Sequence, residues 1–323
     1  MRRRAFLALG AAALPLGALG QSSRMPRVGY LFSFPRAEGE HLWQACRAGL
    51  AELGYVEGRN IRLEPRWADG DYARLPALLQ ELLALKPAVL VTAATPPSRA
   101  AMAATKSTPI VFVAVGEPVA VGLVKSMAHP GGNITGLSLL TSELSGRRLK
   151  LLVDCVGTAH PVMAIKNPAN RVHETFLEET RAAAQALGVR LATSDAGGPA
   201  DIERAFAEAR AASAGGAIVF DDPVLWSHRK RFVALAQQSR LPVIYGYREF
   251  VDEGGLMSLG PDRIDHYRRT AIYVDRILRG ANPGDLPVEQ PVKFQLVVNA
   301  RSARSIGLTI PQALLVAADE VIS

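Results

Sequence analysis

The residues best placed to do chemistry sit where short apolar runs give out. Ser33 follows Tyr30-Leu31-Phe32, Thr95 and Pro96 follow Ala88 to Thr92, Glu117 follows Ile110 to Val115, and Asn167 follows Val162 to Ile165. Asp221 and Asp222 close the run from Gly216 to Phe220, and Tyr247 and Glu249 come after Val243-Ile244-Tyr245. Open α/β sheets collect ligands outside the carboxyl ends of their strands, so these side chains are the candidate lining of a cleft. Glu117, Asp221 and Asp222 suit a ligand ammonium. The Thr95 hydroxyl and a helix opening at Pro96 suit a carboxylate, because unpaired backbone N–H groups and the helix dipole favour negative charge. Phe32, Phe34, Trp226 and Tyr247 lie near enough to the tips to stack on a ring. Each residue also has a structural role open to it: Asn-Pro and Asp-Pro pairs punctuate turns and cap helices, and Phe32 and Trp226 suit a packed core.

An enzyme needs a nucleophile with its base, or a tuned pair of acids. The chain has no Gly-x-Ser-x-Gly elbow, no His-Glu-x-x-His and no phosphate loop, and Gly131 to Gly136 lacks the Gly-x-Gly-x-x-Gly spacing. Asp221-Asp222 has no His, Cys or third carboxylate beside it in sequence to complete an acid–base or metal site. The histidines at 41, 129, 160, 173, 228 and 266 lack ligand spacing. Binding of a small molecule, without catalysis, cofactor or metal, is the expectation.

The elements that must position this lining alternate. The stretch from Pro109 to Leu137 organises them: Ile110 to Val115 reads as a strand buried on both faces, Gly116-Glu117-Pro118 as a turn at its tip, Gly122 to Met127 as a short helix, and Ile134 to Leu137 as renewed extended chain. Strand-then-helix units run from Val28 to this point and again from Ser142 to Tyr245, which predicts parallel sheets with right-handed crossovers, twice. The fold class is therefore α/β, with two Rossmann-like lobes of parallel sheet. A further helix over Arg263 to Leu278 and a strand over Phe294 to Val298 imply that the chain crosses back and returns, with hinge crossings near 137, 257 and 291. The lobes so defined are 25–137 plus 257–290, and 138–256 plus 291–323.

A chain of 323 residues suits two such lobes, and 49% hydrophobic with 21% charged residues is an ordinary globular composition. Arg2-Arg3-Arg4, an apolar run from Ala5 to Leu19 and the small-x-small Ala18-Leu19-Gly20 read as an export signal over residues 1–20. Arg3-Arg4-Ala5-Phe6-Leu7 also fits the twin-arginine pattern, leaving the export route open. No cysteine follows the cleavage region, so the mature protein is expected to be soluble, without a lipid anchor. The formal charge is +7, of which Arg2, Arg3 and Arg4 carry three; the other Lys and Arg alternate with Asp and Glu and form no stripe for nucleic acid. Cys46 and Cys155 are expected as unpaired, buried thiols in different lobes.

Gly54-Tyr55-Val56-Glu57-Gly58-Arg59-Asn60-Ile61, Arg66-Trp67-Ala68-Asp69-Gly70-Asp71, Pro109 to Gly136 with its Pro-Gly-Gly-Asn-Ile-Thr-Gly, Pro242 to Gly260, Leu286 to Pro291 and Gly307 to Pro311 closely resemble the ABC transporter substrate-binding protein family that includes tryptophan- and tyrosine-binding members. The resemblance covers nearly all of the mature chain and implies a type I periplasmic-binding fold with a ligand between two lobes joined by three crossings. Relatives usually carry Asp before the Pro-Val of the central motif, where this chain has the longer Glu117. The resulting expectation is a periplasmic, monomeric protein that captures a small molecule, an aromatic or other amino acid, and hands it to an ABC permease in the inner membrane. A ligand-sensing module acting on a membrane receptor would use the same closure.

Overall fold

A computed structural model describes residues 25–139, 141–291 and 293–323, so the export signal expected over 1–20 lies outside the described residues. The first sheet holds β1 (Arg27–Phe32), β2 (Arg62–Trp67), β3 (Val89–Ala93), β4 (Ile110–Val115) and β5 (Ile134–Ser138) in the order β2-β1-β3-β4-β5, every neighbour parallel. Its connections include α1 (Arg36–Glu52), α2 (Leu75–Ala84) and α3 (Thr95–Ala104). Every residue of β3 and β4 is buried, as their unbroken apolar runs require of strands covered on both faces.

The second sheet holds β6 (Val162–Lys166), β7 (Leu191–Asp195), β8 (Gly216–Val219), β9 (Val243–Tyr245), β10 (Met257–Pro261), β11 (Phe294–Asn299) and β12 (Glu320–Ile322), in the order β12-β11-β10-β9-β8-β6-β7. Only β10 and β11 pair antiparallel among the described strands. Around it lie α4 (Thr141–Val156), α5 (Val172–Leu187), α6 (Pro199–Ala211), α7 (Pro223–Ser227), α8 (Arg229–Gln238), α9 (Arg248–Asp252), α11 (Ala300–Ser305) and α12 (Gln312–Ala317), whereas α10 (Arg263–Leu278) packs on the first lobe against α1 and β4.

The chain therefore passes between sheets after β5, after β10 and before β11. These passages are tied together: Ser138 N–H donates to Glu289 O at 2.8 Å, Glu289 N–H to Gly136 O at 3.0 Å, and the Thr135 hydroxyl to Leu286 O at 2.6 Å. His266 on α10 is buried and hydrogen-bonded to the backbone of Ser138.

Several elements differ from expectation. Met257–Pro261, expected with the first lobe, pairs with β9 and β11, so the second passage falls near 262 instead of 257. Residues 122–127 form turns instead of a short helix, because Gly122 takes a positive φ of 71° and the local bonds are i→i+3 to i→i+5 turns (Gly122 N–H to Val119 O, Leu123 N–H to Pro118 O). The single helix expected from Val224 to Ser239 is broken at His228 into α7 and α8. Residues 248–252 form α9, and α12 and β12 were not foreseen. Cys46 and Cys155 are both free, Cys46 buried and Cys155 only half-buried.

Candidate ligand-binding cleft

The strand tips of the two sheets meet. The Phe34 and Trp226 rings lie 5.1 Å apart, edge to face, across the lobe boundary. The Tyr72 hydroxyl donates to Asp222 Oδ2 at 3.0 Å, His41 Nε2 is 3.5 Å from Glu249 Oε1, and Arg229 pairs with Glu38. Gly116, just past β4, lies so close to α5 that a Cβ there would be 2.7 Å from Phe176 Cζ. This is a closed arrangement, with Ser33, Thr95, Asn167, Asp221, Asp222 and Tyr247 buried and Pro96, Glu117 and Glu249 half-buried.

Two adjacent aspartates in the second lobe have different work. Asp222 caps α7: its Oδ1 accepts from Val224 N–H at 2.8 Å, Leu225 N–H at 3.1 Å and Asn167 Nδ2 at 3.0 Å, and its Oδ2 from Asn170 Nδ2 and the Tyr72 hydroxyl, both at 3.0 Å. A carboxylate with five donors has little left for a ligand. Asn167 is equally engaged, its Oδ1 accepting from Ala169 N–H and its own N–H donating to His173 Nδ1.

Asp221 is the opposite case. Its Oδ2 accepts from Arg148 Nη2 at 2.9 Å, while its Oδ1 is buried without a partner. Burial pushes its carboxyl above the usual range, against the pull of Arg148. Tyr247, also buried, has its phenol raised by burial and then by the charge of Asp221. The Arg263 guanidinium stacks on Tyr247 at 4.2 Å and on Trp226 at 4.4 Å, and donates to Glu249 at 2.7 Å. Burial alone would raise Glu249, but the charge of Arg263 and the bond from His41 hold it down to about 2. Glu249 is thus a fixed carboxylate between lobes.

In the first lobe, the Ser33 hydroxyl donates to Ala93 O at 3.3 Å. Thr95 is buried and Pro96 half-buried at the start of α3. Pro96 and Pro97 carry no N–H and Ser98 N–H goes back to Ala94 O, so of the first turn only Thr95 N–H is left to meet an anion. Ala94 holds φ 80° and ψ 171°, a region nearly reserved for glycine, and its carbonyl is pinned by the Ser98 hydroxyl at 2.7 Å. Glu117 is half-buried at the turn after β4. Phe32 belongs to the core, stacked on Trp67 at 4.2 Å.

The structure thus gathers Asp221, Asp222, Asn167, Tyr247 and Glu249 at the second sheet's tips, and Ser33, Thr95, Pro96 and Glu117 at the first's. It adds Tyr72, Arg148, Asn170 and Arg263, which the sequence reading did not include. Arg148 did carry a signal, because it shares the buried 144/148/152 stripe of α4 with Leu144 and Leu152, where a charge is out of place. The Arg148 Nη1, Asp221 Oδ1, Asn170 Oδ1, Trp226 Nε1 and Arg263 Nε atoms are buried without hydrogen-bond partners among the described residues. Native interiors satisfy nearly all such atoms, so their grouping beside the lobe boundary calls for a reason.

Known proteins share this architecture. A conserved domain protein from Vibrio cholerae has 29% identity and a TM-score of 0.86 over 92% of this chain and all of its own. An ABC domain from Streptococcus pneumonia, solved in complex with L-Trp, has 25% identity and a TM-score of 0.85 over 93% of this chain and 100% of that one. A tyrosine-binding protein of Clostridioides difficile is 24% identical over 263 residues, 80% of this chain and 74% of that protein. The family model described as ABC transporter substrate binding protein matches residues 40–322. With that match covering every strand but β1 and all three passages, the chain belongs to the ABC transporter substrate-binding protein family, whose members bind solutes and are not enzymes.

Proposed function

We propose that the protein is an exported, monomeric solute receptor of an ABC importer, which encloses an aromatic or other amino acid between its lobes and presents the closed form to a permease in the inner membrane. The observation that carries this reading is the set of unpartnered buried polar atoms on Arg148, Asp221, Asn170 and Trp226 of the second lobe, beside the boundary that Tyr72 and Asp222 bridge. Aromatic surface supplied by Phe34, Trp226 and Tyr247 suits a ring, and Arg148 with Asp221 suits a polar head. Export through residues 1–20 would place it in the periplasm, where importers collect their solutes. A thermal-shift screen of the mature protein against the proteinogenic amino acids tests the ligand class: at a concentration about 100 times Kd, a true ligand adds about 2.7 kcal/mol of stability, an upward shift of several degrees. No shift with any amino acid would discard the class.

A further inference from the structure

The cleft takes one end of the second sheet, and the other end carries a charge of its own. On entering β6, β7, β8 and β9 the chain passes through residues 157–161, 188–190, 212–215 and 239–242, which hold His160, Arg190 and Arg240 and no Asp or Glu. The sheet order β9-β8-β6-β7 sets these loops side by side, and Arg210 joins them from the last turn of α6. Far apart in the chain, the four make no basic run in the sequence; the topology assembles them.

His160, Arg210 and Arg240 line one cavity of about 410 Å³, with Ser213 and Ser239 beside them and the buried Phe206 and Leu241 as an apolar wall. No carboxylate is among its lining residues. The side chains of His160, Arg210 and Arg240 are exposed and make no hydrogen bond or ion pair among the described residues. Several other surface arginines sit against carboxylates, as Arg66 does with Glu81 and Arg204 with Asp201. Nor are these two guanidinium groups spent on capping helices. Arg210 O and Ala209 O of α6 accept from Ser213 and Ala214 N–H, both at 2.9 Å, and Gln237 O and Ala236 O of α8 from Arg240 N–H at 3.1 Å and Leu241 N–H at 2.9 Å.

We propose that this cavity is a second ligand site, which holds the phosphate group of a small soluble molecule between Arg210 and Arg240, with the Ser213 and Ser239 hydroxyls as further donors. Two guanidinium groups keep their charge at any working pH and present paired N–H donors that match phosphate oxygens. A phosphate dianion balances both, whereas a carboxylate leaves one of them unmatched. The site lies at the opposite ends of the strands whose tips face the other lobe. It therefore stands apart from the amino-acid reading of the cleft, and its occupant leaves closure free.

The test is calorimetry of the mature protein at low ionic strength with inorganic phosphate, phenyl phosphate, benzoate and chloride. Wild type should bind both phosphates saturably at one site, phenyl phosphate the tighter of the two through the Phe206 and Leu241 wall, and benzoate and chloride about fivefold more weakly or less. Arg210→Gln and Arg240→Gln should each weaken both phosphates about five- to tenfold, the loss of one forked arm at a site open to solvent. Arg240→Lys should recover part of that, since it keeps the charge and loses the fork. All three variants should melt as wild type does and respond unchanged in the amino-acid screen. Phosphate binding that does not saturate, that chloride equals, or that the Gln variants leave intact would overturn the assignment. So would binding to phosphatidylglycerol vesicles without binding to either soluble phosphate, which would mark a charged face and not a site.

Discussion

Tyr72→Phe removes one hydroxyl from the lobe boundary and little else. In the closed protein that hydroxyl donates to Asp222 Oδ2 at 3.0 Å, with Asp222 buried and Tyr72 half-buried. A hydrogen bond to a charged partner contributes about 1.5–3 kcal/mol. Asp222 retains Asn167, Asn170, Val224 and Leu225 as donors, so its charge is not abandoned and the lower end applies. Because the partners sit on different lobes, the loss falls on closure and not on the folding of either lobe. About 1.5 kcal/mol lowers the closing constant, and with it the affinity for the best amino acid of the screen, about tenfold. Small-angle scattering of the ligand-free protein should show a larger radius of gyration, with the melting temperature nearly unchanged. Unaltered affinity and radius would refute the claim that this contact holds the lobes together.

Other perturbations probe neighbouring features. Gly116→Ala places a methyl group 2.7 Å from Phe176 Cζ across the boundary, and should wedge the lobes apart, weakening ligand binding in calorimetry while each lobe stays folded. Ala94→Gly relieves a backbone held at φ 80° and should raise stability by about 1 kcal/mol in urea titration, the relief of strain exceeding glycine's entropic cost. His266 is held neutral by burial, its pKa pushed down from 6.5 to about 4 against its backbone bond to Ser138. The unfolded chain binds that proton first, so stability should fall as pH drops from about 6.5 to about 4, by up to about 3 kcal/mol, and His266→Gln should flatten that window. Glu249 has the lower window: with its pKa held down to about 2, its contribution is complete above about 4.5 and is lost progressively as pH falls from there through about 2.

The alternation of strands and helices was readable because β4 and β8 hold no polar side chain and β3 and β6 hold one each, Thr92 and Lys166, as strands covered on both faces require. The placement of β10 was not, since a strand's sheet is decided by pairing with β9 and β11 and not by its own composition. The break at His228 escaped for a related reason: α7 and α8 both carry helical patterns, and the residue that separates them, at φ −98° and ψ 17°, has no sequence mark of a helix end. Within the cleft, the tip rule found Asp221 and Tyr247 but gave Asp222 the same standing, because adjacent aspartates look alike until their donors are counted. Tyr72 escaped because it stands five residues past β2, in the short helical turn that follows; Arg263 escaped because it opens α10 two residues past β10, a strand that the sequence reading placed with the other lobe.

The three passages between the sheets are not loose tethers. Residues 136–138 and 289 are laced by main-chain bonds, and α10 rests against them through His266. Opening must then proceed by torsion of a short paired ribbon that keeps its own bonds, a motion with few degrees of freedom. Little conformational entropy is released when the jaws part, so a captured solute has little disorder to overcome in bringing them together again.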